Sequence, residues 1–214
     1  MKNFNILSFA EKIKSNPRTK AFFLWLVMPK GEATPRWWVS FFINPFVHKR
    51  GRHSIIRRRA RLDVLPFRKF NIGKSTTIED FTCINNGMGD VIIGDDCTIG
   101  IGSVIIAPVT IGSDVMLAQH VCLSGLNHGY EDIHTPPNKQ KCTTAEIIIE
   151  DECWIGANSV VVAGVTIGKH SVVAGGSVVV KNVPPFSIVA GNPAKLIRQY
   201  NPSTQKWERP ELPS

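Results

Sequence analysis

The sequence has few cysteines, no paired cysteine motif and no long hydrophobic run. Its five cysteines are an odd number and none stands in a CxxC pair, so a dense disulfide framework is not indicated. Residues 1–20 lack the apolar core and the small-residue cleavage site of a signal peptide. The apolar run at residues 21–28 is far shorter than the roughly 20 residues that span a bilayer. We therefore expect a cytoplasmic protein.

The chain also lacks an even distribution of charge. Its formal net charge is +8, but residues 48–61 (HKRGRHSIIRRRAR) contain seven Lys or Arg and no acid, and 18 basic residues face 17 acidic ones elsewhere. The segment has no recognisable nucleic-acid recognition motif, so we do not expect nucleic acid as a partner. A local basic surface suits an anionic glycan, a lipid-linked acceptor or a membrane surface.

Residues 1–70 form an N-terminal extension that is rich in aromatic residues and irregular in pattern. Mainly helical structure is predicted, over 5–28 with an interruption at Pro17, and over 36–49 after Pro35. The extension has two interpretations. It is either a hydrophobic cap on the body or on a neighbouring subunit, or an interfacial segment that rests peripherally on the inner face of an anionic membrane.

From residue 72 onward the sequence repeats with a period of six. The first position of each unit is aliphatic, the second is often Gly, and the fifth is small or compact. The first positions are Ile72, Ile78, Ile84, Ile93, Ile99, Ile105, Ile111, Leu117, Leu123, Ile149, Ile155, Val161, Ile167, Val173 and Val179. A short period sustained in this way predicts a solenoid.

The chemistry of the repeat predicts how one coil is built. Six residues make one short strand and a turn, and three units close a triangular coil of about 18 residues. The aliphatic residue points inward and stacks on its equivalent in the next coil, about 4.8 Å away. The fifth side chain faces the interior near a corner, so Cys97 and Cys153 are expected to be compact core fillers.

The units IGDDCT, IGSDVM, IGANSV and IGKHSV, with the ending AGNPAKLIR at 190–198, resemble the hexapeptide-repeat acyltransferases. The most similar branch is the maltose and galactoside O-acetyltransferase type, including enzymes that modify surface polysaccharides. The resemblance implies an all-β solenoid, a left-handed parallel β-helix of about five triangular coils over 71–198, followed by a tail over 199–214. It also implies acetyl-CoA as co-substrate, a homotrimer, and acetyl transfer to a hydroxyl of a sugar or glycan.

One long polar segment interrupts the repeat. Leu123 and Ile149 are 26 residues apart, which is not a multiple of six, so residues 129–147 are predicted to leave the coil after His128. Long excursions from compact scaffolds are usually functional or disordered. Acyl transfer to a hydroxyl needs a general base, and histidine suits that role. His120 is expected to face outward at a corner, and His134 lies deep in the excursion.

The resemblance points to His128 as the base. SGLNHGY is similar to elements of the type TGSHDY or DHNHGY, whose histidine removes the proton from the acceptor. Either Glu131 or Asp132 is the candidate to orient the imidazole, and Tyr130 is a candidate acceptor contact. Transfer is then direct, in a ternary complex, and a structural role is enough to explain Cys122.

The resemblance further implies a coenzyme groove along the outside of the helix between subunits of the trimer. The candidate coenzyme-binding residues, of which the last three are basic and suit phosphates, are Trp154, Ala157, Gly175, Lys181, Lys195 and Arg198. Asn85 in the polar interruption NNG is a candidate acceptor contact, although a simple turn explains it equally well. No metal is expected.

Several alternatives stay open at this point. In the first alternative, the acceptor is an amino sugar, serine or an antibiotic instead of a sugar hydroxyl. A zinc enzyme resembling the γ-type carbonic anhydrases would use His120, His128 and His134, but their spacings do not match the close pair and distant third of that family. A non-catalytic or carbohydrate-binding solenoid is the remaining interpretation.

Overall fold

A computed structural model describes residues 16–210. Helix α1 (Pro17–Val27) begins after Asn16, whose Oδ1 accepts hydrogen bonds from the backbone N–H groups of Arg18 and Thr19. A proline at the first helical position needs no hydrogen-bond partner, so Pro17 starts this helix and does not interrupt a longer one. The part of the predicted helix that falls on 1–15 lies outside the described residues.

The second predicted helix is two short helices. Helix α2 (Trp37–Phe42) and helix α3 (Asn44–Val47) follow each other with one residue between them. The side-chain amide of Asn44 donates to the carbonyl oxygen of Val64 at 2.9 Å, and the rings of His48 and Phe70 meet edge to face. The helices therefore cap the N-terminal end of the solenoid.

The solenoid has three faces of parallel strands. The first face contains β1 (Lys49–Arg50), β4 (Phe70–Ile72), β7 (Val91–Ile93), β10 (Val109–Ile111), β15 (Ile147–Ile149) and β18 (Thr166–Ile167). The second contains β2 (Ile55–Ile56), β5 (Thr77–Ile78), β8 (Thr98–Ile99), β11 (Met116–Leu117), β16 (Trp154–Ile155) and β19 (Val172–Val173). The third contains β3 (Arg61–Asp63), β6 (Cys83–Asn85), β9 (Val104–Ile106), β12 (Cys122–Ser124), β17 (Val160–Val162) and β20 (Val178–Val179). The predicted left-handed parallel β-helix is confirmed.

The interior is built as the repeat predicts. Every first-position residue from Ile72 to Val179 is buried, and so are the fifth positions of all uninterrupted units. Most polar fifth residues donate their hydroxyl to a carbonyl of a neighbouring coil, as from Thr76 to Gly94 at 2.7 Å, whereas Ser177 donates to Ala174 of its own coil. Burial raises the pKa of the Cys153 thiol to about 11, which fits a core filler and not a reactive group.

The number of coils differs from the expectation. There are six, because β1, β2 and β3 pair in parallel with β4, β5 and β6 and form a coil from residues of the basic segment. Ile56 and Leu62 occupy its first positions and Ser54 a fifth position, so the period of six begins earlier than residue 72. Arg50 occupies a first position, where an aliphatic residue is expected, so the repeat pattern did not predict this coil.

The excursion also begins and ends earlier than predicted. Gly125 donates to the carbonyl of Ile106 and accepts from the N–H of Ala145, so the coil closes directly across the two ends of the segment. Between them, β13 (Leu126–Asn127) and β14 (Thr143–Thr144) form a short antiparallel neck. Residues Ile147–Ile149 belong to the first face, and His128 lies inside the excursion and not on the coil.

The C-terminal part is ordered as strands. Strand β21 (Ser187–Gly191) continues the second face, and β22 (Ala194–Asn201) and β23 (Lys206–Glu208) add to it in antiparallel fashion. The rings of Tyr200 and Trp207 pack edge to face, 5.7 Å apart. The polar segment that was expected to be a tail thus extends the second face of the helix.

Candidate active site

His128 follows the neck of the excursion and is exposed. The coil below it is fully packed, because Leu123 is buried and β12 pairs with β9 and β17 on both sides. The neck therefore places His128 a few residues from a rigid scaffold while its ring remains open to a ligand. A general base on a mobile loop would lose this fixed position.

The ring of His128 meets a thiol from the returning strand of the excursion. Nδ1 of His128 lies 3.4 Å from Sγ of Cys142. The next residue, Gly129, is buried, and a Cβ atom there would lie 2.9 Å from the carbonyl oxygen of Lys141. Glycine thus permits the close approach of the two chain segments that brings the imidazole and the thiol together.

The two acidic candidates have other partners. Hydrogen bonds from the N–H groups of Glu131 itself and of Tyr130 lower the pKa of the Glu131 carboxyl. A hydrogen bond from the Thr135 side chain, and then one from the N–H of His134, lower the pKa of Asp132. Both carboxylates stabilise the turn of the excursion. The group that contacts Nδ1 of His128 is instead the thiol of Cys142.

Gln140 holds the tip of the excursion together. Its Nε2 donates to the carbonyl oxygens of Asp132 at 2.8 Å and Thr135 at 2.7 Å, and its Oε1 accepts from the N–H of Asp132. Tyr130 is 75% exposed beside this loop. A side chain so placed is free to contact an acceptor that approaches His128.

The other two histidines are not brought to His128. His120 is exposed at a corner with φ of 55°, as its position in the repeat predicts, and His134 is exposed near the tip of the excursion. Within residues 16–210 no three His, Cys, Asp or Glu side chains converge in a way that could hold a metal ion.

Several candidate residues lie at one corner of the solenoid. We call it the third corner, because it joins each third-face strand to the first face of the next coil. The excursion leaves the solenoid at this corner. Asn85 lies in the same row as Ser124, two strands or about 10 Å away, and its Oδ1 accepts from the N–H of Gly87. Lys181 follows β20 at this corner, two coils beyond the excursion, and is exposed.

The remaining coenzyme candidates lie on the second face or the corner after it. Trp154 is 49% exposed and shares a row of the sheet with Arg198, three strands or about 14 Å away. Lys195 is exposed on the same outer strand. Ala157 and Gly175 stack at the next corner, where the carbonyl of Ala157 accepts from the N–H of Gly176.

The predicted site residues therefore fall into two groups on one chain. The third corner holds the histidine and the acceptor candidates, and the second face holds the aromatic and most basic candidates. Cys142 is the residue that the sequence did not identify. It is 14 residues from His128, and no periodicity relates the two, so only the fold of the excursion reveals the contact.

Two segments of the chain match family models. Residues 90–125 match the model described as bacterial transferase hexapeptide (six repeats), and residues 146–181 match the hexapeptide repeat of succinyl-transferase. The chain is 31% identical over 132 residues to the putative lipopolysaccharide biosynthesis O-acetyl transferase WbbJ of Escherichia coli K12. That alignment covers 58% of this chain and 67% of WbbJ.

A second relative and one solved structure extend the comparison. The galactoside O-acetyltransferase of E. coli K12 is 39% identical over 93 residues. The aligned segment is 44% of this chain and 45% of that relative, so the chain spans less than half the length of the galactoside enzyme. AntD, an N-acyltransferase from Bacillus cereus solved with dTDP and 3-hydroxybutyryl-CoA, has a TM-score of 0.59 at 20% identity. The match covers 72% of this chain and 86% of AntD, and it shows that the fold is shared.

Proposed function

The chain belongs to the hexapeptide-repeat acyltransferase family, and from this premise we propose that it transfers an acetyl group from acetyl-CoA to a sugar or glycan hydroxyl. Family membership confirms the prediction of an acyltransferase. The observation that carries the proposal is the position of His128, which the neck of the excursion fixes beside a fully packed coil with its ring exposed. The names of WbbJ and the galactoside enzyme support oxygen as the acetylated atom.

His128 acts as the general base in this proposal. Its Nε2 accepts the proton of the acceptor hydroxyl as the hydroxyl oxygen attacks the thioester carbonyl. The tetrahedral intermediate then breaks its carbon–sulfur bond, and the departing thiolate takes the proton back from the imidazolium. No covalent acyl-enzyme forms, because the acetyl group passes directly between two bound substrates.

Cys142 orients the base. With Nδ1–H of His128 donating toward Sγ of Cys142, Nε2 keeps the lone pair that base catalysis needs. A thiol is a weak acceptor, so the role we propose for this contact is to hold the ring orientation in that tautomer, with little charge stabilisation. Cys142 therefore takes the positioning role that the sequence suggested for Glu131 or Asp132.

The division of candidate residues between two surfaces supports a shared site in a homotrimer. One chain presents His128, Asn85 and Lys181 at its third corner, whereas Trp154 and Arg198 lie on its second face. A neighbour that places its second face against the third corner would complete a groove with a base at one end and cations for the coenzyme phosphates at the other. Acetyl-CoA is the co-substrate that fits this groove.

An acetyl-transfer assay tests the proposal. Purified protein is given acetyl-CoA and a panel of glycans, amino sugars, serine and hydroxyl-bearing antibiotics, and coenzyme release and product mass are measured. We expect acetyl esters of sugar hydroxyls. Amide products would move the activity to an amino sugar, and failure to bind coenzyme A would favour a non-catalytic solenoid. A stoichiometric zinc content with no acetyl transfer would favour the γ-carbonic-anhydrase-like alternative.

A subunit-mixing experiment tests the shared site. His128→Ala inactivates the third corner, and the double variant Lys195→Glu/Arg198→Glu inactivates the second face. If each site joins two subunits, trimers assembled from equal amounts of the two inactive proteins should regain about a quarter of wild-type activity, since one site in each mixed trimer is intact. No recovery after verified subunit exchange would show that the residues do not meet across an interface.

A further inference from the structure

The net positive charge of the described residues is concentrated at one end of the molecule. Residues 16–63 contain 11 Lys or Arg and two Asp or Glu, a net charge of +9, whereas residues 64–214 contain 11 and 14, a net charge of −3. The positive region comprises the cap helices and the first coil. The field of the molecule is therefore strongly asymmetric along the solenoid axis.

The same end exposes an unusual amount of apolar surface. The exposed side chains on the cap are Phe22 (56%), Trp25 (56%), Leu26 (37%), Trp37 (69%), Phe41 (73%), Phe42 (66%), Phe46 (87%) and Val47 (46%). Single exposed apolar residues are normal, but eight within 26 residues are a concentration that favours an interaction surface.

The cap itself pairs a cation with an aromatic ring, and its aromatic residues continue up to the first basic strand. The guanidinium of Arg36 lies over the ring of Trp25 at 5.4 Å and donates to the carbonyl oxygen of Trp25, which ties α1 to α2. Phe46 and Val47 are exposed at the end of α3, only two residues before the first basic strand. Exposed aromatic side chains of the cap and exposed arginines of the first coil thus lie at the same end of the molecule.

Part of the positive charge of the first coil is not paired with acidic groups within the described residues. Arg57 pairs with Glu79, and Arg61 pairs with the buried carboxylate of Asp63. By contrast, the exposed side chains of Arg52 and Arg58 make no hydrogen bond or ion pair within the described residues. Free cations beside exposed aromatics fit a partner that is both anionic and apolar.

We propose that this end of the protein docks on an anionic lipid bilayer. The aromatic side chains enter the boundary between headgroups and acyl chains, and the arginines of the first coil contact lipid phosphates. A second copy of the same end is a poor partner, because two surfaces that each carry a net charge of +9 repel each other. Within the described residues no helix is long and apolar enough to cross a membrane.

Docking in this orientation would also place the candidate active site near the lipid surface. The excursion leaves the fourth coil, three coil spacings or about 14 Å from the first. A glycan anchored in the bilayer would reach His128 across that distance. This consequence, unlike the docking itself, rests on the proposed acetyl transfer.

Vesicle co-sedimentation tests the proposal. The full-length protein is mixed with vesicles of phosphatidylcholine alone or with about 30% phosphatidylglycerol, at about 0.1 M and about 0.5 M salt. We expect binding to the anionic vesicles at low salt, and at least a tenfold weaker binding without phosphatidylglycerol or at high salt. A protein that stays in the supernatant under all conditions would overturn the proposal.

Matched variants locate the surface. Arg52→Glu/Arg58→Glu and Trp37→Ser/Phe41→Ser/Phe46→Ser should each weaken binding at least tenfold, whereas Lys206→Glu/Arg209→Glu, with the same charge change at the far end, should bind within twofold of wild type. Equal binding by all three would refute the assignment. If the aromatic variant instead dissociates the oligomer in light scattering, the surface is an interface between copies and the lipid proposal fails.

The two proposals fail separately. His128→Ala should bind vesicles like the wild type, because it lies outside the docking surface. A wild-type protein that binds coenzyme A but not vesicles refutes the docking alone. One that binds vesicles but neither binds coenzyme A nor transfers acetyl refutes the proposed function and leaves the docking intact. Unchanged circular dichroism and melting of each variant exclude unfolding as the cause.

Discussion

The coils of the solenoid and the excursion that leaves them are stabilised in opposite ways. In the coils, each aliphatic first position from Ile72 to Val179 is buried and each inner strand pairs with a neighbour on both sides. In the excursion almost every residue is exposed, and a two-residue neck, Gly129 and the side chain of Gln140 maintain the shape. Stability is thus concentrated in the coils, and the proposed base lies in the excursion, so substitutions in the two regions should affect different measurements.

The largest expected effect comes from the proposed base, His128. His128→Ala should lower kcat by roughly 10²- to 10⁴-fold, the usual contribution of a general base, and should leave the free energy of unfolding within about 0.5 kcal/mol of wild type. His134→Ala, in the same excursion, is the matched control and should retain near-normal turnover. Near-normal activity of His128→Ala in a steady-state assay would remove His128 from the mechanism.

The reverse result is expected in the coils. Ile155→Ala leaves a cavity in a fully buried column and should lower the free energy of unfolding by about 2–5 kcal/mol. Ile197→Ala, at a position 43% exposed on the outer strand, should cost less than about 1 kcal/mol. Urea denaturation followed by circular dichroism measures both, and equal losses would contradict the assignment of the core.

A smaller effect should come from the positioning thiol. Cys142→Ala should lower kcat by about tenfold with little change in KM, because it removes the group that contacts Nδ1 and that we propose to orient His128. Cys142→Ser, which restores an acceptor, should recover much of the rate. Cys122→Ala should behave like the wild type, since Cys122 lies on a coil strand. Equal activity of all three variants would indicate that the contact with His128 has no catalytic effect.

The smallest effect concerns the junction of cap and solenoid. Burial lowers the pKa of His48, and neither of its ring nitrogens has a hydrogen-bond partner in the described structure. Around and below the unfolded value of about 6.5 the unfolded chain takes up a proton more readily than the folded one, so stability should fall as the pH is lowered from 7 to 5. His48→Leu should lose this dependence in denaturation measured at both pH values, and His134→Ala should keep it.

The sequence alone determined the solenoid, its inward positions and its interruption, because a period of six states directly which side chains face the core. It also singled out His128, through the position of the interruption and the resemblance of SGLNHGY to known elements. The first coil was open to the same reasoning, since Ile56 and Leu62 are six residues apart and Ser54 and Ala60 hold fifth positions. The many arginines led us to interpret these residues as a basic surface segment, although their periodicity also fits a coil of the solenoid.

Only the tertiary structure decided how the irregular parts meet. The contact between His128 and Cys142 depends on a neck of two residue pairs and on the lack of a side chain at Gly129, neither of which has a periodic signal. The partners of Glu131 and Asp132 are backbone N–H groups and the Thr135 side chain, which sequence cannot distinguish from an imidazole. Periodic burial is encoded residue by residue, whereas contacts across a loop arise from the path of the chain as a whole.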